Sequence, residues 1–455
     1  MGTKIQNAKV SKERPLWLKI LLYALPLAAT GMINLLFNAA DMIVVGRFAG
    51  DAALAAVSST GALINLIVNL LMGLSVGTTV CVAQAYGARD DERVSQVAHT
   101  SVCVALIGGF MALLIGVIGA RFFLGLMGSP DDVIDKSTLY MRIYFCGMPI
   151  MMLYNFGSGI LRAVGDTKRP MIFLSLSGIV NVFLNVLFVT QFGMDVDGVA
   201  WATVISQVVA CLMLYTYLFR VKANFRLDIR KFRINFAILK RIIQIGVPAG
   251  LQGMVFSISN VVIQSSVNSF GKVVIAGCGA AGSIEGFIWT AMNSFHQASV
   301  TFVGQSYGAF DVNNIKRANR YCILLVCAMG IALSTIAYLN ADFLLGIYCK
   351  NSPDAIQYGK IRMIYVCCTY FTCGIQDVLT GSIRGMGNSF MPMAVSLIGI
   401  CGSRLIWIAT VFRKFHNLHM LYICYPISWV IAIIGLAVCY AVVFRKTKLL
   451  FKDNS

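Results

Sequence analysis

Uncharged apolar stretches long enough to cross a hydrocarbon core of roughly 30 Å recur along the whole chain. They begin near residues 17, 53, 94, 137, 170, 197, 242, 273, 321, 361, 390 and 420. In lipid every backbone N–H and C=O must be paired within the protein, and apolar runs of this length do so as helices. The expected fold is therefore an all-α integral membrane protein with twelve transmembrane helices. Composition agrees: 58% of the 455 residues are hydrophobic and 12% are charged, against about 25% charged in soluble domains.

The second half of the chain repeats the first at a spacing of about 222 residues. Gln84-Ala85-Tyr86-Gly87-Ala88 ends one apolar run and Gln305-Ser306-Tyr307-Gly308-Ala309 ends its counterpart. Arg162, Gly165 and Pro170 recur as Arg384, Gly387 and Pro392, and Pro26, Gly31, Met32 and Asn38 recur as Pro248, Gly253, Met254 and Asn260. Internal repeats of this kind belong to transporters whose binding site lies between the repeats, near the bilayer midplane. The expected organisation is an N-terminal six-helix lobe, 1–222, and a C-terminal six-helix lobe, 223–455, with the basic stretch Arg220 to Arg241 as the boundary. Six helices per lobe is an even number, so the repeats are parallel rather than inverted.

The net charge of +18 does not point to nucleic acid, because its distribution marks one side of a membrane. Basic residues cluster in the N-terminal tail (Lys4, Lys9, Lys12, Arg14, Lys19), at Arg89 and Arg93, at Arg162, Lys168 and Arg169, and between Arg220 and Arg241. They recur at Lys316, Arg317, Arg320 and Arg384 and at the C-terminus (Arg445, Lys446, Lys448, Lys452). By the positive-inside rule both termini are cytoplasmic, in the inner (plasma) membrane. Arg404 lies inside a helix. Most of the fourteen cysteines lie within apolar runs (Cys81, Cys103, Cys211, Cys367, Cys368) with no metal-ligand spacing, and read as small apolar side chains. A cleaved signal peptide is not expected.

A charge at membrane depth costs roughly 2.5–3.5 kcal/mol on insertion scales, so each needs a reason. Asp41 lies late in the first helix on one face with Asn34 and Asn38. One reading is a helix-end carboxylate reaching the outer surface, since Arg47 and Asp51 follow. The other is a titratable group in a cavity, able to bind a proton or a sodium ion. Asn181 and Asn185 on the fifth helix and Thr203 and Gln207 on the sixth either join helices by hydrogen bonds or complete an oxygen shell around Asp41. Asn260, Gln264 and Asn268 form a polar stripe on the seventh helix. Glu285, His296, Asp377 and Arg404 are the other intramembrane ionisable groups, and an acid paired with Arg404 would serve structure. Asp377 matches Asn155 across the repeat and Asp41 matches Ile263, so ion coupling is expected in the first lobe. Pro26 and Pro248 lie within helices and are candidate hinges. Met32, Phe37, Met72, Tyr154 and Met254 are candidates for an adaptable apolar wall.

These motifs together resemble the multidrug and toxic compound extrusion (MATE) transporters, above all their prokaryotic branch. The residues carrying the resemblance are Asn38-Ala39-Ala40-Asp41 followed by Val45-Gly46-Arg47, the paired Gln84 and Gln305 motifs, Leu161 to Asp166 with its repeat Ile383 to Asn388, and Gly198 to Thr203. The resemblance implies a V-shaped, two-lobed antiporter in which an organic, cationic and amphipathic compound leaves the cell as protons or sodium ions enter. It implies a coupling site of Asp41, Asn181, Asn185 and Thr203, which is where a sodium ion would bind. The substrate cavity expected beside it comprises Asn34, Phe37, Asn38, Tyr154, Asn155, Met254, Asn260, Gln264, Glu285 and Asp377. Relatives with a well-formed sodium site often carry aspartate where this chain has Asn185, which tilts the expectation toward protons. No cofactor is expected, and a monomer suffices in principle.

Competing functions are an exporter of an endogenous metabolite, a lipid-linked substrate flippase and a membrane enzyme. A flippase would need several cationic residues to hold a pyrophosphate, and Arg404 is the one clear intramembrane cation by sequence. An enzyme would need a motif such as HExxH or GxSxG; the four histidines, His99, His296, His416 and His419, are scattered.

Overall fold

The computed structural model describes residues 14–44, 51–126, 134–349 and 352–453. Val45, Gly46, Arg47, the tail lysines Lys4, Lys9 and Lys12 and the side chain of Asp51 lie outside the described residues. Helices α1 (Leu16–Val44), α2 (Asp51–Gly87), α3 (Asp91–Leu126), α4 (Ile134–Cys146), α5 (Met148–Ala163), α6 (Lys168–Thr190) and α7 (Val196–Arg220) come from the first half of the chain. Helices α8 (Phe236–Asn268), α9 (Lys272–Gly308), α10 (Val312–Leu339), α11 (Ala341–Tyr348), α12 (Pro353–Tyr365) and α13 (Tyr370–Gly385) follow. Helices α14 (Phe390–Ser396), α15 (Ser403–Trp407), α16 (Leu418–Tyr422) and α17 (Cys424–Asp453) complete the chain. No strand occurs among the described residues.

Among the described residues, ten helical segments are long and apolar enough to cross a membrane, Phe390–Phe412 counting as one. The fourth and tenth runs expected from the sequence are each broken in two. Gly147 separates α4 from α5, and Pro149 sits in the first turn of α5, where its missing N–H leaves no hydrogen bond unmade. The second break, between Tyr365 and Tyr370, falls at the equivalent place in the repeat.

The duplication is written in the backbone as well as in the sequence. The turn after α5 needs a positive φ at Gly165 (98°), and the turn after α13 needs one at Gly387 (88°), a conformation that only glycine adopts freely. Arg89 and Phe310, after α2 and α9, carry the same uncommon positive φ, 56° and 55°. Pro26 and Pro248 both lie inside continuous helices, α1 and α8. The carbonyl of Pro26 accepts a hydrogen bond from Thr30 Oγ1 at 2.7 Å.

Helix α2 packs along α8 through bare backbone. A Cβ on Gly73 would overlap Gly250, and one on Gly77 would overlap the Ile242 carbonyl. Small residues allow this approach where no hydrophobic driving force separates protein from lipid. The basic connection between α7 and α8 is tied down by partly buried polar contacts. Asp228 N–H donates to His99 Nε2 at 2.9 Å, and Thr100 Oγ1 donates to the Arg233 carbonyl at 3.4 Å. Asn235 caps α8 by accepting from Ala237 and Ile238 N–H.

Candidate functional site

Asp41 lies in the last turn of α1, and its carboxylate accepts a hydrogen bond from Asn185 Nδ2 on α6. The same nitrogen lies 3.3 Å from Asn181 Oδ1, one turn back on α6. Spacing explains the alignment, because residues four apart share a helix face. Asn185 is fully buried and its Oδ1 has no hydrogen-bond partner. Buried polar atoms are almost always paired, so an unpaired amide oxygen beside a carboxylate is suited to a cation or an O–H. Thr203 does not join this cluster through its proton, which goes to the Val199 carbonyl of its own helix at 3.0 Å. Helices α6 and α7 are linked instead by Ser177 Oγ, donating to the Ser206 carbonyl. Among the described residues no group of three or more His, Cys, Asp or Glu is arranged to hold a metal ion.

The polar stripes expected on α1 and α8 exist. Asn34, Asn38, Asn260, Gln264 and Asn268 are all exposed, and Gln264 donates to Asn268 Oδ1 at 3.1 Å. Amides at membrane depth face water or protein rather than lipid, so neither stripe is suited to a lipid-facing surface. Phe37 fills the gap left by the missing side chain of Gly178 on α6. Met254 is half-buried. Tyr154 belongs to the core, its hydroxyl donating to the Pro170 carbonyl at 3.0 Å, and the Asn155 amide donates to the Met151 carbonyl at 2.8 Å.

Glu285 is buried and forms a two-pronged ion pair with Arg362 of α12, at 2.9 Å to Nε and 2.7 Å to Nη2. Of the acids that could have paired with Arg404, Glu285 is thus committed to Arg362. Arg404 instead donates through Nε to Ser428 Oγ at 3.0 Å and stacks 4.1 Å from the ring centre of Tyr425.

Asp377 and Asn260 do line a cavity, of about 380 Å³, formed mainly by the second half of the chain with Asn69 of α2 at its wall. Arg384, Arg404, Gln252 and His296 line it as well. Arg404 is accordingly not the sole buried cation: Arg384 is 6% exposed and donates to Gln252 Oε1 at 2.6 Å. Reading Arg384 as a side-marking surface charge missed this. The available signal was its fixed place in the repeat, opposite Arg162, since a charge that only marks a membrane side need not hold register.

Comparison with known proteins follows the same lines. The MatE family model matches residues 26–187 and 248–408. A probable multidrug resistance protein of Bacillus subtilis, YoeA, is 28% identical over 96% of both chains. The probable multidrug resistance protein NorM of Thermotoga maritima is 25% identical over 88% of this chain and 86% of its own. In fold, the chain superposes on a MATE transporter crystallised in complex with MaL6 with a TM-score of 0.89, at 24% identity over 96% of this chain and 98% of that one. With two matched stretches that together span most of its length, this multi-pass membrane chain belongs to the MatE family of multidrug and toxic compound extrusion transporters.

Proposed function

We propose that the chain is a secondary antiporter that exports organic compounds, cationic amphipathic ones among them, in exchange for protons or sodium ions. The observation that carries this reading is the cluster of Asp41, Asn185 and Asn181 joining α1 to α6. As a carboxylate, Asp41 accepts from the Asn185 amide nitrogen. Once protonated it donates to an amide oxygen, which a half-turn of the same amide presents. A sodium ion would instead draw on the Asp41 carboxylate and the oxygens of Asn181 and Asn185. The ion-free form leaves Asn185 Oδ1 unpaired and the loaded forms use an amide oxygen, so binding an ion changes the site's charge without breaking it open.

Charge then couples ion to substrate. An ion-free Asp41 contributes a negative charge to an aqueous space bordered by Asn34 and Asn38, and an ion-loaded one does not. An organic cation is held in the first state and released in the second, and the protein changes its facing only through such differences in affinity between states.

The two broken pairs, α4 with α5 and α12 with α13, each count as one crossing in this reading, giving twelve. The lobes, 1–222 and 223–455, rock about Pro26 and Pro248, with both termini cytoplasmic in the plasma membrane and one chain sufficient.

The test is uptake of a fluorescent organic cation into proteoliposomes under an imposed proton gradient and, separately, a sodium gradient. Uptake driven by one gradient and lost in Asp41→Asn is the expected result. Gradient-driven uptake at an undiminished rate in Asp41→Asn would overturn it.

A further inference from the structure

The cavity in the second half of the chain has the wrong sign for a site that takes only cations. Its formally charged lining side chains are Arg384, Arg404 and Asp377, an excess of one positive charge. His296 adds none: its Nδ1 lies 2.7 Å from the Asp377 carbonyl oxygen, to which it must donate, and its Nε2 faces Arg384 Nη1 at 3.5 Å as an acceptor. A ring with one nitrogen donating and the other facing a guanidinium is neutral. The Glu285–Arg362 pair is closed on itself and leaves this balance unchanged.

Neither cavity arginine forms an ion pair with a carboxylate among the described residues. Both are almost fully buried, and both have donors to offer. Arg384 Nε has no hydrogen-bond partner, and neither has the Thr380 hydroxyl, one turn back on α13 in the same lining. Arg404 makes one hydrogen bond, from Nε to Ser428, and its Cζ lies 4.1 Å from the ring centre of Tyr425 and 5.8 Å from that of Trp429. A cation–π contact uses none of the guanidinium's N–H donors, so those on Nη1 and Nη2 remain for an oxyanion. Buried cations with unmet donors are expensive to maintain without a partner.

The backbone around Arg404 is also irregular. The helix widens to i→i+5 hydrogen bonding over Leu397–Gly402 and again over Ile408–Phe412, leaving Arg404 on the short regular stretch between. Wide turns of this kind weaken a helix and recur at functional sites. Trp289 and Tyr370 add flat apolar surface to the lining.

We infer that this cavity binds the oxyanion, carboxylate or phosphate, of a planar aromatic compound, with Arg404 and Arg384 as the clamp and the aromatic rings holding the ligand body. The compounds this chain handles then include aromatic anions, and zwitterions whose cationic end lies toward Asp377. The inference rests on the export reading for its physiological meaning, although the binding itself does not depend on transport.

Equilibrium binding to the full chain in lipid nanodiscs tests it, with empty nanodiscs as the reference and three probes of one shape: 2-naphthoate, 2-naphthyl phosphate and 2-naphthylmethylammonium. The expected result, read in an Asp41→Asn background that neutralises the first-half site, is that at least one anion binds about ten-fold or more tightly than the ammonium probe. Arg404→Gln should then abolish that preference and Arg404→Lys keep part of it, as loss of a charged hydrogen bond implies. Preference for the carboxylate alone or the phosphate alone supports the inference and names the group. Equal or tighter binding of the ammonium probe to the Asp41→Asn chain overturns it, even if the arginine variants fail to fold. An unchanged preference in a well-folded Arg404→Gln also overturns it. Gradient-driven transport by the wild-type chain is a separate readout: its absence with anion preference intact would sink the antiport reading and leave this one standing.

Discussion

Gln84 and Gln305 cross over one another's chain segments. Gln84 Nε2 donates to the Gly385 carbonyl at 2.8 Å, and Gln305 Nε2 donates to the Ala163 carbonyl at 2.7 Å. Each glutamine near the end of α2 or α9 thus reaches the last residue of the broken pair in the other half. Beside them, a Cβ on Gly87 would overlap the Gln305 carbonyl, and one on Gly308 would overlap the Gln84 carbonyl. The two repeat motifs are therefore one reciprocal joint, at the end of the molecule where Arg89, Arg93, Lys316 and Arg317 lie.

The joint must open if the halves are to face the other way. Gly87→Val or Gly308→Val puts branched carbon into backbone-to-backbone contact, and overpacking of this kind costs about 1–3 kcal/mol. Either variant should disfavour the joined state and slow organic-cation uptake in proteoliposomes about ten-fold or more. Gln84→Ala removes one neutral hydrogen bond, worth about 1 kcal/mol, and should slow it less. A glutamine variant slower than both valine variants would contradict this ranking.

Glu285 and Arg362 hold α9 to α12 in the interior. Removing one partner strands a buried charge, which costs about 3–5 kcal/mol. Arg362→Met should lower the thermal unfolding midpoint in detergent sharply, and the double variant Arg362→Met with Glu285→Gln should recover most of the loss. Because the pair closes on itself, Glu285→Gln should destabilise the fold without changing which gradient drives transport. A switch of driving ion in Glu285→Gln would place this acid in coupling instead.

What the sequence made legible follows from the physics of each signal. Apolar run length is a property of a single segment, so the membrane helices were readable one by one, whereas the breaks at Gly147 and after Tyr365 depend on packing within each half. Side-chain partners are three-dimensional facts. Helix spacing grouped Asp41 with Asn34 and Asn38, and Asn181 with Asn185, but only the family resemblance joined the two sets, because their contact needs α1 and α6 to be neighbours. Arg384 shows the opposite failure: its charge was read by the rule for surface loops, while its register in the repeat carried the information that it turns inward toward Gln252.

Asn185 offers the sharpest test of which ion the first-half site prefers. Its amide gives Asp41 a donor but no charge, so the site holds one carboxylate and two amide groups. Hard cations prefer anionic oxygen, and a second carboxylate close by raises the negative field around the first. Asn185→Asp should therefore strengthen sodium stimulation of transport, lowering the half-saturating sodium concentration about ten-fold. Asn185→Ala removes both the donor and the unpaired oxygen and should slow transport under either gradient while leaving the unfolding midpoint within a few degrees of wild type. Initial rates in proteoliposomes across a sodium series at fixed pH measure both effects. Should Asn185→Asp leave the sodium response flat while Asn185→Ala slows transport, the cluster handles protons alone. Should neither substitution matter, Asp41 draws its coupling ion from the aqueous side without the help of α6.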